Sequence, residues 1–293
     1  MAIVGRTTSN AQFRNMRMVV LAVVTLFTLY TLAPLFYVVV SSTKDTSDLF
    51  STFGLWFAEE NKFVETITGL FTHRNGIFTT WLWNTFWYSS VAAILSTITA
   101  ALCGYALAKY RFKGRGFIFA IILGSVMVPG TAMVIPLFLM LSSIGLVDTP
   151  WAAILPSVVS PLGVFLMRIY SEQGVPDELL EAARVDGAGE LRIFLSIASR
   201  LLVPGLVTVL LLSFVGTWNN YFLPLVMLSS QDLLPITVGL AIWYEQAVIG
   251  LAGAENLYAI VLAGSLVSIV PIIAVFIILQ RYWQSGLTAG SVK

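Results

Sequence analysis

The residues of this chain best suited to chemistry are charged, and they are concentrated in one stretch. The segment PDELLEAARVDGAGELRIF, residues 176–194, sets acids and arginines among alanines and glycines that are too small to build a core. Elsewhere the sequence offers His73 as its one histidine and Cys103 as its one cysteine. A histidine without Cys or His neighbours makes a poor metal site, and one cysteine cannot form an intramolecular disulfide. The charged segment is therefore the first candidate for function.

Motifs of common membrane enzymes and of nucleotide-binding proteins are absent from the sequence. It contains no H-E-x-x-H and no G-x-x-x-x-G-K-[ST], so neither a zinc protease helix nor a phosphate-binding P-loop is predicted. The lone histidine also removes the usual base for a serine nucleophile. We therefore expect a chain that is not an enzyme and carries no cofactor or metal of its own. Any driving energy must come from a partner.

The composition is that of a membrane protein. Of the 293 residues 58% are hydrophobic and 11% are charged, against about 25% charged in soluble domains. A membrane-spanning helix needs about 20 apolar residues, and six charge-free windows meet that length. They are residues 18–43, 75–108, 116–147, 149–167, 201–231 and 256–280. The window 233–244 is too short and is predicted to be external or re-entrant. The expected fold is all-α, a polytopic membrane protein with six transmembrane helices.

The first window is predicted to be a retained helix. Its apolar run from Met18 to Val40 exceeds the roughly 7 to 15 residues of a signal-peptide core, and no small-x-small cleavage pattern follows it. The expected organisation is a cytoplasmic N-terminus (1–17), a six-helix membrane domain (18–280) and a cytoplasmic tail (281–293). A loop of roughly 40 residues lies between the first two helices on the outer side.

Basic residues predict the orientation. The termini and the connections after the second and fourth windows carry 13 of the Lys and Arg residues, and the other side carries 3. Since Lys and Arg accumulate on the cytoplasmic side, both termini and the charged segment are predicted to be cytoplasmic. The net charge of +1 argues against a nucleic-acid partner.

The predicted membrane helices contain no ionisable residue. Ion-driven carriers usually place Asp, Glu, His or Arg at membrane depth, so a carrier powered by its own ion coupling is disfavoured. A stand-alone facilitator or channel, and a scaffold that transports nothing, remain open alternatives.

The charged segment predicts a short helix. Pro176 and Asp177 suit its start, with Asp177 as the N-cap, and Gly187 can turn the chain at its end. About nine residues result, too few for a helix that is stable alone. Leu180, Ala183 and Gly187 follow i, i+3, i+7 spacing, so a partner surface is expected to approach the backbone on that face. A solvated connector helix is the alternative.

The segment also resembles the EAA loop of ABC importer permeases. Five residues match that pattern at the right spacing, namely Glu181, Ala182, Ala183, Gly187 and Ile197. The sequence departs where the pattern has L-P, since it has Ser199 and Arg200 there. Further segments resemble the carbohydrate-importer branch, the branch of the maltose permeases, over about residues 84–293: MVPGTAMVIPLFLMLSSIGLVDT, TWNNYFLPL and QRYWQSGLTAGSVK.

The resemblance implies a fold, a function and partners. The fold would be that of a type I ABC importer permease in a prokaryotic inner membrane, in contact with membrane lipid. The chain would pair with a second permease subunit in a heterodimer, above two copies of an ABC ATPase that bind ATP and Mg. An extracellular binding protein would deliver a carbohydrate. The loop at about 172–199 would hold the coupling helix, with the ATPase contacting Glu181, Ala182, Ala183, Asp186, Gly187 and Ile197.

Two groups of residues are candidates for lining the translocation pathway. The third window contains prolines that free backbone carbonyls, which is tolerated at membrane depth where the break is buried or lines a cavity. The fifth window contains, roughly 20 residues from its cytoplasmic end, an aromatic and amide cluster suited to sugar hydroxyls. A packing kink and an interfacial aromatic belt are the respective alternatives. The candidates are Pro129, Gly130, Pro136, Trp218, Asn219, Asn220 and Tyr221.

Overall fold

The computed structural model describes residues 5–250 and 257–289, and within these ranges the chain is helical with no β-strand. The α-helices are α1 (Gly5–Ser41), α2 (Thr46–Ser51), α3 (Phe63–Thr72), α4 (Ile77–Lys109), α5 (Arg115–Ser125), α6 (Val134–Ser143), α7 (Pro150–Val158), α8 (Pro161–Gly174), α9 (Asp177–Val185), α10 (Glu190–Ile193), α11 (Ser199–Leu201), α12 (Val203–Trp218), α13 (Phe222–Met227), α14 (Ile236–Ile249) and α15 (Leu257–Ala289). Between them lie 3₁₀-helices at His73–Gly76, Gly130–Met133 and Gln231–Leu233, and a π-helix at Phe194–Ala198.

The described helices agree with a membrane protein. Three stretches are long and apolar enough to cross a bilayer: Phe13–Ser41, Phe63–Lys109 and Leu257–Tyr282. Three more candidates are bent pairs, α5 with Gly130–Ser143 (98°), α7 with α8 (40°), and Glu190–Leu201 with α12 (82°). The chain has up to six spans if each bent pair counts as one. Six spans therefore stay a prediction. In the three bent pairs the chain does not continue as one straight helix.

Prolines account for the breaks. The residue before a proline is disfavoured in the α conformation, and proline itself donates no backbone hydrogen bond. Pro129 starts the turn between α5 and α6, and Ser160 precedes Pro161 at the first position of α8. The Ser160 hydroxyl accepts a hydrogen bond from the Gly163 amide at 3.1 Å and so caps the new helix. At the third break, Pro204 occupies the first turn of α12.

The chain divides into two compact units, residues 1–70 with 243–266 and residues 71–242 with 267–293. In the first unit, α1 is apolar and its described side chains are exposed along most of its length, as lipid contact requires. Lys44, just after α1, is buried, and its ammonium group donates to the Thr52 hydroxyl at 2.8 Å and the Phe53 carbonyl at 2.9 Å. These bonds hold the chain around α2.

In the second unit, α4 is the central helix and packs against α7, α8 and α12. Its contact with α8 is close, because a Cβ at Gly104 would lie 2.7 Å from the Arg168 backbone nitrogen. The predicted short segment at 233–244 overlaps α14 (Ile236–Ile249), an apolar helix of 14 residues that falls short of a span, and its external or re-entrant location stays a prediction. The unit thus places the ends of α4 and α8 and the start of α12 beside the charged segment.

Candidate functional site

The charged segment forms the predicted helix, α9, with nine residues. Its N-cap is Pro176 and Asp177 is its first residue, so the predicted N-cap at Asp177 is wrong by one position. At the end of the helix the amide of Asp186, the C-cap, donates to the Ala182 carbonyl. The chain then turns at Gly187, whose φ is +79°. A residue with a Cβ is strained at that angle, which explains the glycine.

One face of α9 is covered by the chain itself. Leu180 is 1% exposed and Ala183 is 7% exposed. They belong to a buried cluster formed with residues from α4, α8 and the α10–α12 region: Ala100, Ala101, Tyr105, Met167, Val175, Ile193, Phe194, Ala198, Leu202 and Val209. The expectation that a partner approaches Leu180 and Ala183 is therefore wrong, because both side chains pack against other parts of this chain.

An ion pair fixes the start of α9. The Lys109 ammonium group, at the end of α4, donates to the Val175 carbonyl at 2.6 Å and to the Asp177 carboxylate at 2.7 Å. The Lys109 side chain is 6% exposed, so most of its length is shielded from water. Its hydrogen bond and positive charge hold the pKa of Asp177 below the ordinary value. The end of α4 is thereby tied to the end of α8 and to the start of α9.

A second polar contact fixes the end of the helix. The Glu190 carboxylate accepts hydrogen bonds from the Arg184 guanidinium at 2.7 Å and from the Tyr110 hydroxyl at 2.7 Å. These bonds lower the pKa of Glu190, Arg184 having the larger effect. Burial, together with the bond to Glu190, raises the pKa of Tyr110 to about 12. Both ends of α9 are thus held by charge-assisted hydrogen bonds.

The opposite face of α9 is open to solvent. Of the predicted ATPase contacts, Glu181, Ala182, Asp186 and Gly187 are exposed. Ile197 lies elsewhere, partly buried in the π-helix and packed against the cluster beneath α9. The structure thus brings four of the six predicted contacts to one surface, and Ala183 and Ile197 lie beneath it.

Two apolar residues on that surface were not predicted. Val185 is 87% exposed and Leu179 is 46% exposed, and with Ala182 they follow i, i+3, i+6 spacing. An exposed apolar stripe bordered by Glu178 and Glu181 is suited to a protein partner. The signal was present in the sequence, because Leu179, Ala182 and Val185 form a helical stripe beside the one formed by Leu180 and Ala183.

Two of the predicted pathway residues share a cleft. Gly130 and Asn220 both line a cleft of about 720 Å³ at the break between α5 and α6. Pro129 stands next to Gly130 as the residue that starts the turn. The sequence analysis missed the hydroxyl residues of the same cleft, Ser125, Thr131 and Ser157. None of the described lining residues is ionisable, and they combine hydroxyl and amide groups with apolar side chains such as Phe222.

The other four candidates lie outside the lining. Trp218 is 2% exposed and packs with Ala93 and Phe214, so its ring does not offer a stacking face here. Asn219 donates to the Val215 carbonyl of its own helix at 3.0 Å. Tyr221 is exposed, as is Pro136. Since Pro136 is the third residue of α6, it removes no hydrogen bond from the helix interior.

Metal chemistry has no apparent site in the described residues. Within 5–250 and 257–289, no group of three or more His, Cys, Asp or Glu side chains is placed to hold a metal ion. The chemical possibilities of these residues are thus recognition by the exposed face of α9 and hydrogen bonding in the cleft.

Comparison with known proteins gives consistent matches over most of the chain. Residues 96–287 match the family described as binding-protein-dependent transport system inner membrane component. The chain is 38% identical over 261 residues to the arabinooligosaccharides transport system permease protein AraQ of Halalkalibacterium halodurans, covering 89% of this chain and 90% of that protein. It is 34% identical over 212 residues to the melibiose/raffinose/stachyose import permease protein MelC of Bacillus subtilis, covering 72% and 74%.

A solved structure matches as well. It is that of a bacterial ABC transporter involved in the import of the acidic polysaccharide alginate, and the similarity covers 97% of this chain and 100% of that chain. The TM-score is 0.78 and the sequence identity is 26%. The helical arrangement described above is therefore shared with an importer of known structure.

Proposed function

We propose, from the premise that this chain belongs to the family of binding-protein-dependent transport system inner membrane components, that it is the permease subunit of an ATP-driven carbohydrate importer. The chain has no catalytic role. ATP and Mg bind to a separate ATPase present in two copies, a second permease subunit completes the pathway, and an extracellular binding protein delivers the substrate. The relatives named above, which import oligosaccharides, support this assignment.

The observation that carries the proposal is the attachment of α9. It is too short to persist alone, yet it is held to the ends of α4 and α8 through Lys109 and to the α10–α12 region through Ile193 and Glu190. A force applied to its exposed face is thereby transmitted to three membrane helices. Alternating access by rigid-body rocking needs such a connection, and the ATPase is the partner expected to supply the force.

The orientation belongs to the same proposal. With both termini and α9 in the cytoplasm of a prokaryotic cell, α9 faces the compartment that contains ATP. Single cysteines at Lys113 and at Asn75, in a Cys103→Ala background, test this with an impermeant thiol reagent on intact cells. Asn75 variants should be labelled and Lys113 variants protected. Labelling at Lys113 from outside would overturn the orientation.

The substrate is proposed to be a neutral, hydroxyl-rich saccharide. The cleft near Gly130 and Asn220 offers hydroxyl and amide groups without an ionisable residue, which suits hydrogen bonding to a neutral sugar. The predicted site residues Pro129 and Gly130 would act by keeping the cleft open at the break. Pro136, Trp218, Asn219 and Tyr221 stay proposals as pathway residues in another conformation of the transport cycle.

The test is ATP hydrolysis by the assembled complex in proteoliposomes. A binding protein loaded with an arabinooligosaccharide, or with melibiose, raffinose or stachyose, should accelerate hydrolysis, and the sugar should accumulate inside only when ATP is supplied. Proteoliposomes that contain this chain alone should be inactive. Uptake by the chain alone would instead identify a facilitator, and stimulation only by amino acids, peptides or metal ions would refute a carbohydrate substrate.

A further inference from the structure

An apolar cleft of about 430 Å³ lies on the second unit, away from the face of α9 that is exposed to solvent. One wall is α4, with Ile94, Ile98 and Leu102, and the other is the bent segment that leads into α12, with Leu191 and Leu195. That segment meets α12 at 82°, and the bend keeps the two walls apart.

The chemistry of the cleft excludes polar ligands from its interior. Its two hydroxyl residues, Thr97 and Ser199, donate to the carbonyls of Ala93 and Leu195 in their own helices at 2.7 Å. The protons of both hydroxyls are thus used within their own helices, and the surface that lines this cleft is formed by carbon atoms. A hydrocarbon chain is the ligand such a surface accepts from a bilayer, because water would gain no hydrogen bonds there.

The position of the cleft along α4 shows which end of the helix it lies nearer. Ile94 and Leu102 lie 15 and 7 residues before Lys109, where α4 ends. At 1.5 Å per residue the cleft therefore extends from about 10 to about 22 Å inside the end of α4. The cleft thus begins nearer the end of α4 that contacts α9, on the cytoplasmic side in the orientation proposed above.

A basic stripe borders the cleft. Leu191, Leu195 and Ser199 face the cleft at i, i+4, i+8 spacing, and Arg192, Ser196 and Arg200 form the next stripe of the same segment. All three residues of the basic stripe are exposed.

The charges of this stripe are available to a ligand. Lys109, Arg115, Arg168 and Arg184, which surround α9, each contact a carboxylate of the chain. No described ion pair involves Arg192 or Arg200. Guanidinium groups and a hydroxyl are hydrogen-bond donors that phosphate oxygens accept.

We propose that this region binds one anionic phospholipid, with an acyl chain in the cleft and the phosphate on Arg192, Ser196 and Arg200. The lipid would lie at the 82° bend between residues Glu190–Leu201 and α12. The site is distinct from the exposed face of α9 and from the cleft at Gly130. It extends the proposed function, and it relies on the proposed orientation only for the side of the membrane.

The headgroup is tested by lipid titration of the purified full-length chain and its accompanying subunits, read by native mass spectrometry. Arg192→Gln with Arg200→Gln should weaken binding of phosphatidylglycerol about thirtyfold, as expected for two surface arginines near an anionic lipid. Phosphatidylcholine has the same phosphate but no net charge, so the unmodified chain should bind it more weakly and the double variant should lower its affinity by a smaller factor. The matched control, Arg111→Gln with Lys113→Gln, removes two exposed charges from the neighbouring loop and should leave both affinities intact. Equal phosphatidylglycerol binding in both double variants would overturn the headgroup assignment.

The acyl chain is tested by filling the cleft. Ile98→Trp should abolish the tightly bound lipid, whereas Ile121→Trp, on a similarly exposed isoleucine of α5, should keep it. Retention of the lipid in Ile98→Trp would refute the proposed site. A second test places a single cysteine at Ile98 in a Cys103→Ala background. Cross-linking of this cysteine to the second permease, without labelling of the cleft by a photoactivatable phospholipid, would also refute the site. Neither readout uses substrate or ATP, so failure here leaves the transport assignment standing.

Discussion

Truncating the Leu180 side chain should weaken the packing of α9 against the rest of the chain. Leu180 is 1% exposed within the cluster beneath the helix, so Leu180→Ala leaves a cavity that its neighbours fill only in part. Such substitutions cost about 2–5 kcal/mol in buried sites. A nine-residue helix has little stability of its own, so we expect the loss, about 3 kcal/mol, to appear as local unfolding of α9.

The neighbouring leucine supplies a matched control. Leu179 is 46% exposed on the opposite face, and truncating an exposed side chain usually changes stability by no more than about 0.5 kcal/mol. Leu179→Ala should therefore leave the helix intact and weaken only the attachment of the ATPase. The two variants separate the support of α9 from its recognition surface.

Hydrogen exchange of the backbone amides of residues 180–187 measures the difference. A local loss of about 3 kcal/mol corresponds to exchange about a hundredfold faster in Leu180→Ala. Leu179→Ala should show the rates of the unmodified chain. Unchanged exchange in Leu180→Ala, or equal acceleration in both variants, would mean that burial of Leu180 does not hold the helix.

Two further outcomes follow from the geometry. The pKa values of Asp177 and Glu190 are lowered in the folded chain, so their stabilisation is complete above the ordinary carboxyl pKa of about 4 and is lost as pH falls through the lowered values. Exchange protection of α9, corrected for intrinsic rates, should decline in that acidic range, and less steeply in Asp177→Asn. Separately, Gly239→Ala should lower the thermal midpoint, since its Cβ would overlap the Trp81 ring, whereas Gly124→Ala meets no atom within 4 Å and should not.

Several features of α9 were predictable because they depend on local sequence. The proline and acids at its start and the glycine at 187 set its bounds to within one residue. The sequence likewise predicts that the apolar segment overlapping α14 is too short to span a membrane, because charged residues bound it. Such features need no knowledge of what lies across the fold.

The direction in which α9 faces was not predictable from its own residues. Leu180 and Ala183 form one stripe and Leu179, Ala182 and Val185 form another, and both combine small and apolar side chains. Only the position of distant residues, such as Tyr105 and Met167, decides which stripe is covered. The same limit applies to Trp218, whose burial against Ala93 joins positions far apart in sequence.

The polar contacts of the site were also beyond local sequence. Lys109 meets Asp177 across 68 positions and Tyr110 meets Glu190 across 80. Lys109 and Tyr110 lie at the end of α4, next to the basic residues from which the orientation in the membrane was predicted. Their second role, fixing α9, follows from the packing of α4 against α8.

The exposed face of α9 offers the most direct test of the proposed coupling role. Val185 is 87% exposed there, and Val64, in the first turn of α3, is 77% exposed. The measurement is recovery of the ATPase with detergent-solubilised Val185→Asp and Val64→Asp chains. We predict that Val185→Asp loses the ATPase while keeping the second permease, and that Val64→Asp keeps both. Full recovery of the ATPase with Val185→Asp would contradict attachment through this face.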